Sequence, residues 1–180
     1  MTMTEDVTVN DAPGWLAERF EEERGRLHGV AYRMLGSATE AEDAVQEAWH
    51  RLSRSDEGTT EDRAGSLTSV VARVCLDLLR ARKPEPEEPF DDGSLADMPR
   101  IGYHGQRSPE NDTLLADSIS AAMLLVLETL SPAERVAFVL HDMLDFSFDD
   151  IAPIVDKSPM VTHQLVGRAR RRVQQSIALQ

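Results

Sequence analysis

Apolar side chains recur three or four residues apart through the first half of this chain, which is the spacing of amphipathic helices. The first series, which Asp11 is placed to cap, ends at Gly36 and consists of Leu16, Phe20, Leu27, Val30, Ala31, Met34 and Leu35. A capping-box pattern at residues 39–42 opens the second series, which consists of Ala41, Ala44, Val45, Ala48, Trp49 and Leu52. The third series stops before Pro84 and consists of Leu67, Val70, Val71, Val74, Cys75, Leu78 and Leu79.

Helical spacing resumes after residue 112 and continues to the basic end of the chain. The first positions of this series are Leu114, Leu115, Ile119, Ala122, Met123, Val126 and Leu127. A second capping box at residues 131–134 begins a helix that we expect to run through Met143. Ser147 is placed to cap a short helix that Pro153 should kink or shorten, and Ser158 begins a longer last helix.

The segment between the two series has the composition of a linker. Residues 84–112 contain five of the nine prolines, three of the ten glycines and eight acidic residues, with no sustained period. No run of alternating apolar and polar residues predicts a strand. We therefore expect an all-α protein with a disordered N-terminus (1–11), a helical bundle (12–83), an acidic flexible linker (84–112) and a second bundle (113–177).

The distribution of charge changes the functional prediction. The 32 acidic and 19 basic residues give a net charge of −13 and a pI of about 4.7, whereas a nucleic-acid-binding domain is expected to be basic. Residues 67–83 nevertheless carry +3 and residues 157–180 carry +5, while residues 1–66, 84–115 and 116–156 carry −8, −6 and −7. Because local basic patches neutralise phosphates, the total charge does not exclude DNA.

The C-terminal basic segment lies in a pattern typical of a helix-turn-helix. A short helix, a turn at residues 156–158 and a longer basic helix occupy residues 147–172. This layout places Thr162, His163 and Gln164 for base contacts, and Arg168, Arg171 and Arg172 for phosphate contacts. The alternative is two packed helices whose arginines form a solvated C-terminal face.

Two other polar helix faces are candidate binding surfaces. Arg73, Asp77 and Arg80 share one face of the third helix, where they could grip DNA or simply pair with one another at the surface. The polar row opposite the apolar stripe of the second helix consists of Asp43, Gln46, Glu47 and His50. Such a row is usually a solvated face and less often a site of protein docking.

Signals for catalysis, metal binding and membrane insertion are weak. His141 with Asp142 and Asp145 forms the only acid–imidazole cluster, and without a third converging ligand we interpret it as surface decoration. Cys75 lies in an apolar run and is expected to be a buried small side chain. We expect no enzyme activity and no cofactor or metal.

The absence of an apolar stretch of 18 residues and of a signal pattern at the N-terminus predicts a cytoplasmic protein without a membrane span.

Three segments, in chain order, stand out: GVAYRMLGSATEAEDAVQEAWHRL, SLTSVVARVCLDLLRAR and LSPAERVAFVLHDMLDFSFDDIAPIV. Together they resemble the extracytoplasmic-function sigma factors of bacterial RNA polymerase. The resemblance covers residues 15–83 as the family's σ2 domain and residues 113–175 as its σ4 domain. It is closest to the subgroup that usually carries a C-terminal SnoaL-like domain, and these 180 residues do not include one.

The resemblance implies a role for each candidate surface. Asp43, Gln46 and Glu47 would meet the β′ clamp helices of core polymerase, and the family also contacts the β flap. The residues implied in reading the −10 element are Arg63, Ser66, Arg73, Asp77 and Arg80. Those implied in reading the −35 element are Ser158, Thr162, His163, Gln164, Arg168, Arg171 and Arg172. Promoter DNA is thus a second implied partner, and an anti-sigma factor is a third candidate.

Some positions depart from the family pattern. Ser66 stands where close relatives often have Trp, and the neighbouring loop carries the acidic residues Asp56, Glu57, Glu61 and Asp62. His163 and Gln164 replace residues that are often basic, which predicts an unusual −35 sequence or weak binding.

The leading hypothesis is an alternative sigma factor. The others are a sigma-like protein that docks without opening promoters and a stand-alone helix-turn-helix repressor.

Overall fold

The computed structural model describes residues 14–54, 67–82 and 121–179. They form seven α-helices, with a π-helical turn at Val139–Met143 before the sixth: α1 (Gly14–Leu35), α2 (Ala38–Arg54), α3 (Leu67–Arg82), α4 (Ala121–Glu128), α5 (Pro132–Phe138), α6 (Phe148–Val155) and α7 (Pro159–Ala178). The predicted all-α class is confirmed, and these three stretches contain no strand. The predictions for the Asp11 cap, the N-terminus, the 55–65 loop and the 84–112 linker lie outside the described residues.

The first three helices bury the stripes that the sequence predicts. Gly36 ends α1 in the left-handed region, with φ of 75°. The Ser37 hydroxyl then accepts a hydrogen bond from the Glu40 amide at 3.4 Å, so the side-chain cap of α2 is Ser37. The predicted position at 39–42 is wrong by two residues, because α2 begins immediately after the turn at Gly36.

Small side chains let α1 and α2 approach closely. The most buried positions of α2 are Ala41, Ala44, Val45 and Ala48. Phe20 of α1 packs on Trp49 with ring centroids 4.9 Å apart. The third helix lies against both, and Arg26 of α1 donates to the hydroxyl of the buried Thr68 at 3.1 Å.

Serine caps set the boundaries of the later helices as predicted. Ser131, Ser147 and Ser158 each accept a hydrogen bond from the amide three residues on. The predicted single helix through Met143 is wrong, because α5 gives way to a π-helical turn in which the Leu144 amide donates to the Val139 carbonyl at 3.2 Å.

The two helical groups are in contact with each other. α3 packs against α5 and α6, and the buried apolar side chains of both groups form one continuous cluster. In this conformation the predicted σ2 and σ4 segments therefore share a core.

Candidate functional site

The polar face of α2 is exposed as the sequence predicts. Asp43, Gln46 and Glu47 all lie on the solvent side, opposite the buried alanine stripe. Arg51 donates through Nε to the Glu47 carboxylate at 3.2 Å, one helical turn later. The face is thus an acidic and amide-bearing surface on a rigid, well-packed helix, which suits protein docking.

The polar face of α3 is paired, but its residues do not pair with one another. Asp77 accepts a hydrogen bond from Arg51 of α2 at 3.0 Å, and Arg73 donates to Asp156 beyond α6 at 2.6 Å. Arg80 is half-buried. The alternative prediction, that Asp77 pairs with its two arginine neighbours, is therefore wrong. Residues outside α3 supply the ion-pair partners of Asp77 and Arg73. Arg63 and Ser66 lie outside the described residues.

The segment predicted to be a helix-turn-helix consists of α6, a tight turn and α7. Asp156 ends α6 with φ of 55° and ψ of 42°, in the left-handed region that Asp tolerates better than most residues. The Lys157 amide then donates to the Ala152 carbonyl at 3.1 Å. The Ser158 hydroxyl caps α7 by accepting from the Val161 amide at 3.2 Å. The turn leaves Lys157 and Ser158 exposed beside the start of α7.

The three residues predicted to read bases differ in accessibility. Thr162 is completely buried, and its hydroxyl donates to the Ser158 carbonyl at 2.9 Å, so a base contact from Thr162 does not fit this geometry. His163 and Gln164 are half-buried. His163 packs edge-on against Phe148 with ring centroids 4.8 Å apart. The prediction missed Met160, which is 72% exposed at the first turn of α7, where an apolar side chain can contact a thymine methyl.

The arginines of α7 fall into two groups. Arg168 and Arg171 are half-buried. Arg172 forms an ion pair with the buried Glu134 at 3.1 Å, so a phosphate would compete with that carboxylate. Arg170 had no predicted role, and its guanidinium is directed inward, with only 10% of the side chain exposed.

Arg170 belongs to a buried cluster with His141 and Asp142. The Asp142 side chain is 0% exposed and His141 is 5% exposed, so the interpretation as surface decoration is wrong. Burial raises the pKa of Asp142, but hydrogen bonds from His141 and Arg170 outweigh burial and hold that pKa below its usual value. The His141 ring stacks on Phe148 at 4.3 Å. Among the described residues no group of three His, Cys, Asp or Glu side chains could hold a metal ion.

Cys75 is buried, as predicted. Burial raises the pKa of its thiol to about 12, against a smaller opposite effect of Arg135. The thiol therefore stays protonated and unreactive at neutral pH.

Comparison with known proteins identifies the family. The family model described as "Sigma-70 region 2" matches residues 19–85, and the model described as "Sigma-70, region 4" matches residues 120–173. Two relatives from Mycobacterium tuberculosis are the probable ECF RNA polymerase sigma factor SigI, 36% identical over 85% of this chain, and the ECF RNA polymerase sigma factor SigJ, 38% identical over 89% of it. The crystal structure of M. tuberculosis SigJ superposes with a TM-score of 0.60 over 88% of this chain, at 33% identity.

The chain belongs to the extracytoplasmic-function sigma factors. This sigma factor spans about half the length of the relatives it matches: 52% of SigI, 50% of SigJ and 53% of the SigJ crystal structure. The region 2 match includes the exposed face of α2 and all of α3, and the region 4 match includes α6 and the arginines of α7. Among the described residues of this sigma factor, no helix is both long enough and apolar enough to cross a membrane.

Proposed function

We propose that this protein is an alternative sigma factor that binds core RNA polymerase and directs it to two-part promoters. In this role it performs no catalysis itself. It acts in the cytoplasm, where it uses binding energy to place polymerase and to hold opened DNA. An anti-sigma factor would be a further partner.

The exposed face of α2 carries this proposal. Asp43, Gln46 and Glu47 lie together on solvent, on a helix whose other side is packed into the core. We assign this face to the β′ clamp helices because the family resemblance implies that contact, and an exposed, charged surface on a well-packed helix suits a partner of complementary charge.

The DNA contacts are assigned to the two basic islands. Arg73, Asp77 and Arg80 of α3, together with Arg63 and Ser66, are the candidates for the −10 element. For the −35 element the candidates are His163 and Gln164 toward bases, Arg168 and Arg171 toward phosphates, and Ser158 and Arg172 as flanking contacts. Met160 joins them because it is exposed at the end of α7 that would enter the major groove.

A transcription assay tests the proposal. Core polymerase from the same bacterium is mixed with this protein and with sheared genomic DNA, and transcript starts are mapped. The proposal requires new starts that share sequence elements near −10 and −35 and that disappear when the α2 face is reversed in charge. An absence of binding to core at concentrations where other sigma factors bind would overturn it.

A second candidate function is docking on polymerase without promoter opening. It is favoured by the pairing of Arg73 and Asp77 within the protein, which leaves fewer groups for the −10 element. The acidic residues within positions 55–65 would also repel phosphate. This function predicts a stable complex with core and no transcript from any promoter.

A further inference from the structure

Three aromatic rings form a column that links the π-helical turn to α7. The His141 ring stacks on the Phe148 ring, with centroids 4.3 Å apart and an angle of 6° between the planes. The His163 ring stands nearly perpendicular to Phe148, at 88°, with centroids 4.8 Å apart. Edge-to-face contact is one of the arrangements that aromatic pairs prefer. Phe148 therefore contacts both histidines, and His163 is the member of the column that lies on the proposed −35 helix.

The inner end of this column is fixed by buried charge. Nδ1 of His141 lies 2.8 Å from Oδ1 of Asp142, whose side chain is 0% exposed. Arg170 donates twice to the same carboxylate, at 2.7 Å and 2.8 Å. Because a bidentate pair restricts orientation as well as distance, His141 offers Phe148 a surface in a fixed position.

The backbone of α6 places Phe148 as well. Phe148 is the first residue of α6 and directly follows the N-cap Ser147, whose hydroxyl accepts from the Asp150 amide at 3.1 Å. The cap sets the residue at which the helix begins and therefore the point from which the Phe148 side chain leaves the backbone. The ring is half-buried and packs against the core. Phe148 is thus held by contacts that do not involve His163.

His163 is the outer member of the column and the one that can reach DNA. It lies in the second turn of α7 and is half-buried, so part of its side chain faces solvent. An imidazole carries two nitrogens that can form hydrogen bonds to a base edge. A ring that is already held in one orientation loses less conformational freedom when it binds. The edge-to-face contact with Phe148 supplies such a restraint.

We propose that Phe148 is a positioning residue for promoter recognition, which holds His163 in the orientation that meets one base of the −35 element. The inference rests on the proposed sigma-factor function, because it concerns how that element is read. Phe148 acts through His163 and touches no DNA itself. A Phe148 that served only the core would support α7 as a whole and would affect all of its base contacts alike. Gln164, the next candidate for base contacts, lies outside the column.

Selection of −35 sequences by the complete complex tests the proposal. Core polymerase with the full chain is presented with a promoter that keeps its −10 element and carries a randomised −35 element, and the bound sequences are read. The parent, Phe148→Leu, His163→Ala and the double variant are compared. Phe146→Leu, the same change at a half-buried phenylalanine two residues earlier, is the matched control. Gln164→Ala identifies the base position that the neighbouring residue reads.

We expect Phe148→Leu to reduce preference at the position read by His163 about two- to ten-fold and to leave the position read by Gln164 unchanged. The double variant should match His163→Ala alone, because Phe148 acts through the ring that is then missing. Phe146→Leu should select the parent element. Unchanged preference in Phe148→Leu, a uniform loss over all positions, or additive effects in the double variant would each overturn the positioning role.

Two more variants separate positioning from packing. Phe148→Tyr keeps the aromatic ring and should keep the parent preference, whereas loss of preference with Tyr would assign the effect to packing and overturn the proposal. Phe148→Met fills a similar volume with a flexible chain and takes the place of Phe148→Leu if that variant does not fold. A parent complex that selects no −35 element overturns the proposed sigma-factor function, and with it the reading of a base by His163.

Proton NMR of the free protein checks the column without polymerase. The Phe148 ring current should shift the signals of the His163 ring away from their positions in an unfolded peptide, and His163→Ala assigns those signals. Phe148→Leu should remove the shift, and Phe146→Leu should keep it. Unshifted His163 signals in the parent would overturn the contact even if transcription is normal.

Discussion

Arg170 holds the buried carboxylate of Asp142 with two hydrogen bonds, from Nη2 to Oδ1 at 2.7 Å and from Nε to Oδ2 at 2.8 Å. The pair joins the middle of α7 to the π-helical turn that follows α5. The pair therefore sets the position of α7, the helix that carries the proposed −35 contacts, on the rest of the second helical group. Bidentate geometry of this kind fixes orientation as well as distance.

Removal of the carboxylate should strongly destabilise the protein. Asp142→Ala removes the carboxylate that neutralises the buried Arg170 guanidinium, and we expect a loss of about 3–5 kcal/mol in the free energy of unfolding. Chemical denaturation monitored by circular dichroism measures the loss. Gln174→Ala, at an exposed position of the same helix, should change stability by less than about 0.5 kcal/mol. A similar small effect for Asp142→Ala would contradict the burial of the pair.

The lowered pKa of Asp142 predicts a dependence of stability on acid. A carboxyl group whose pKa is lower in the folded state stabilises that state above its unfolded pKa of about 3.9, and the contribution disappears as the pH falls through the folded value. Thermal unfolding between pH 3 and pH 7 should therefore show a steeper loss on acidification in the parent protein than in Asp142→Asn. Parallel pH profiles would refute the assignment.

Charge reversal on the exposed face of α2 should weaken binding to core polymerase. We expect Asp43→Arg with Glu47→Arg to reduce affinity at least about ten-fold and to leave the helical signal unchanged, because both side chains lie on solvent. The control is Glu22→Arg, an equally exposed acidic residue of α1. Equal binding by the reversed and control variants would remove this face from the docking surface.

The arginines of α7 should differ in how they affect binding to DNA. Arg171→Ala should reduce the slope of log affinity against log salt by about one, which is the loss of one phosphate contact. Arg172→Ala should instead lower stability, because it removes the ion pair between Arg172 and the buried Glu134 carboxylate. Arg19→Ala, at an exposed ion pair of α1, is the control for both measurements. Identical salt slopes for the parent and Arg171→Ala would contradict the phosphate contact.

Thr162 should affect folding and leave base preference unchanged. Its hydroxyl is buried and donates to the Ser158 carbonyl, so Thr162→Val should cost about 1 kcal/mol of stability. Selection of bound sequences should return the same −35 element for Thr162→Val as for the parent. His163→Ala, in contrast, should relax preference at one base position. An altered element with Thr162→Val would show that α7 presents a different face to DNA.

The sequence predicted the helices well because their signals are local. Apolar spacing, Gly36 and the three serine caps depend on residues within one or two turns, and each marks the boundary that the structure has. The π-helical turn was not predicted, because Val139 to Met143 continues the apolar spacing without a break. The π-helical turn, whose hydrogen bonds join residues five apart, accompanies the packing of His141 and Asp142 against α7. That packing is a tertiary interaction, which local sequence does not contain.

The sequence predicted which candidate residues share a face of α3, but it did not predict their partners. The spacing of Arg73 and Asp77 defines a common face of α3 and contains no information about the distant Asp156 or the neighbouring Arg51. The inward direction of Arg170, within a run of basic residues, likewise depends on a buried carboxylate 28 positions earlier. An acidic residue in an otherwise apolar segment, as at Asp142, is the signal that could have indicated that pair.

Transcription by reconstituted polymerase tests the central claim most directly. Core enzyme with this protein should produce run-off transcripts from promoters that share a −10 and −35 pair, and core with the Asp43→Arg, Glu47→Arg variant should produce none from the same templates. Transcripts that are equal with and without this protein, or equal for the parent and the variant, would contradict the account of this chain as a sigma factor that docks through α2.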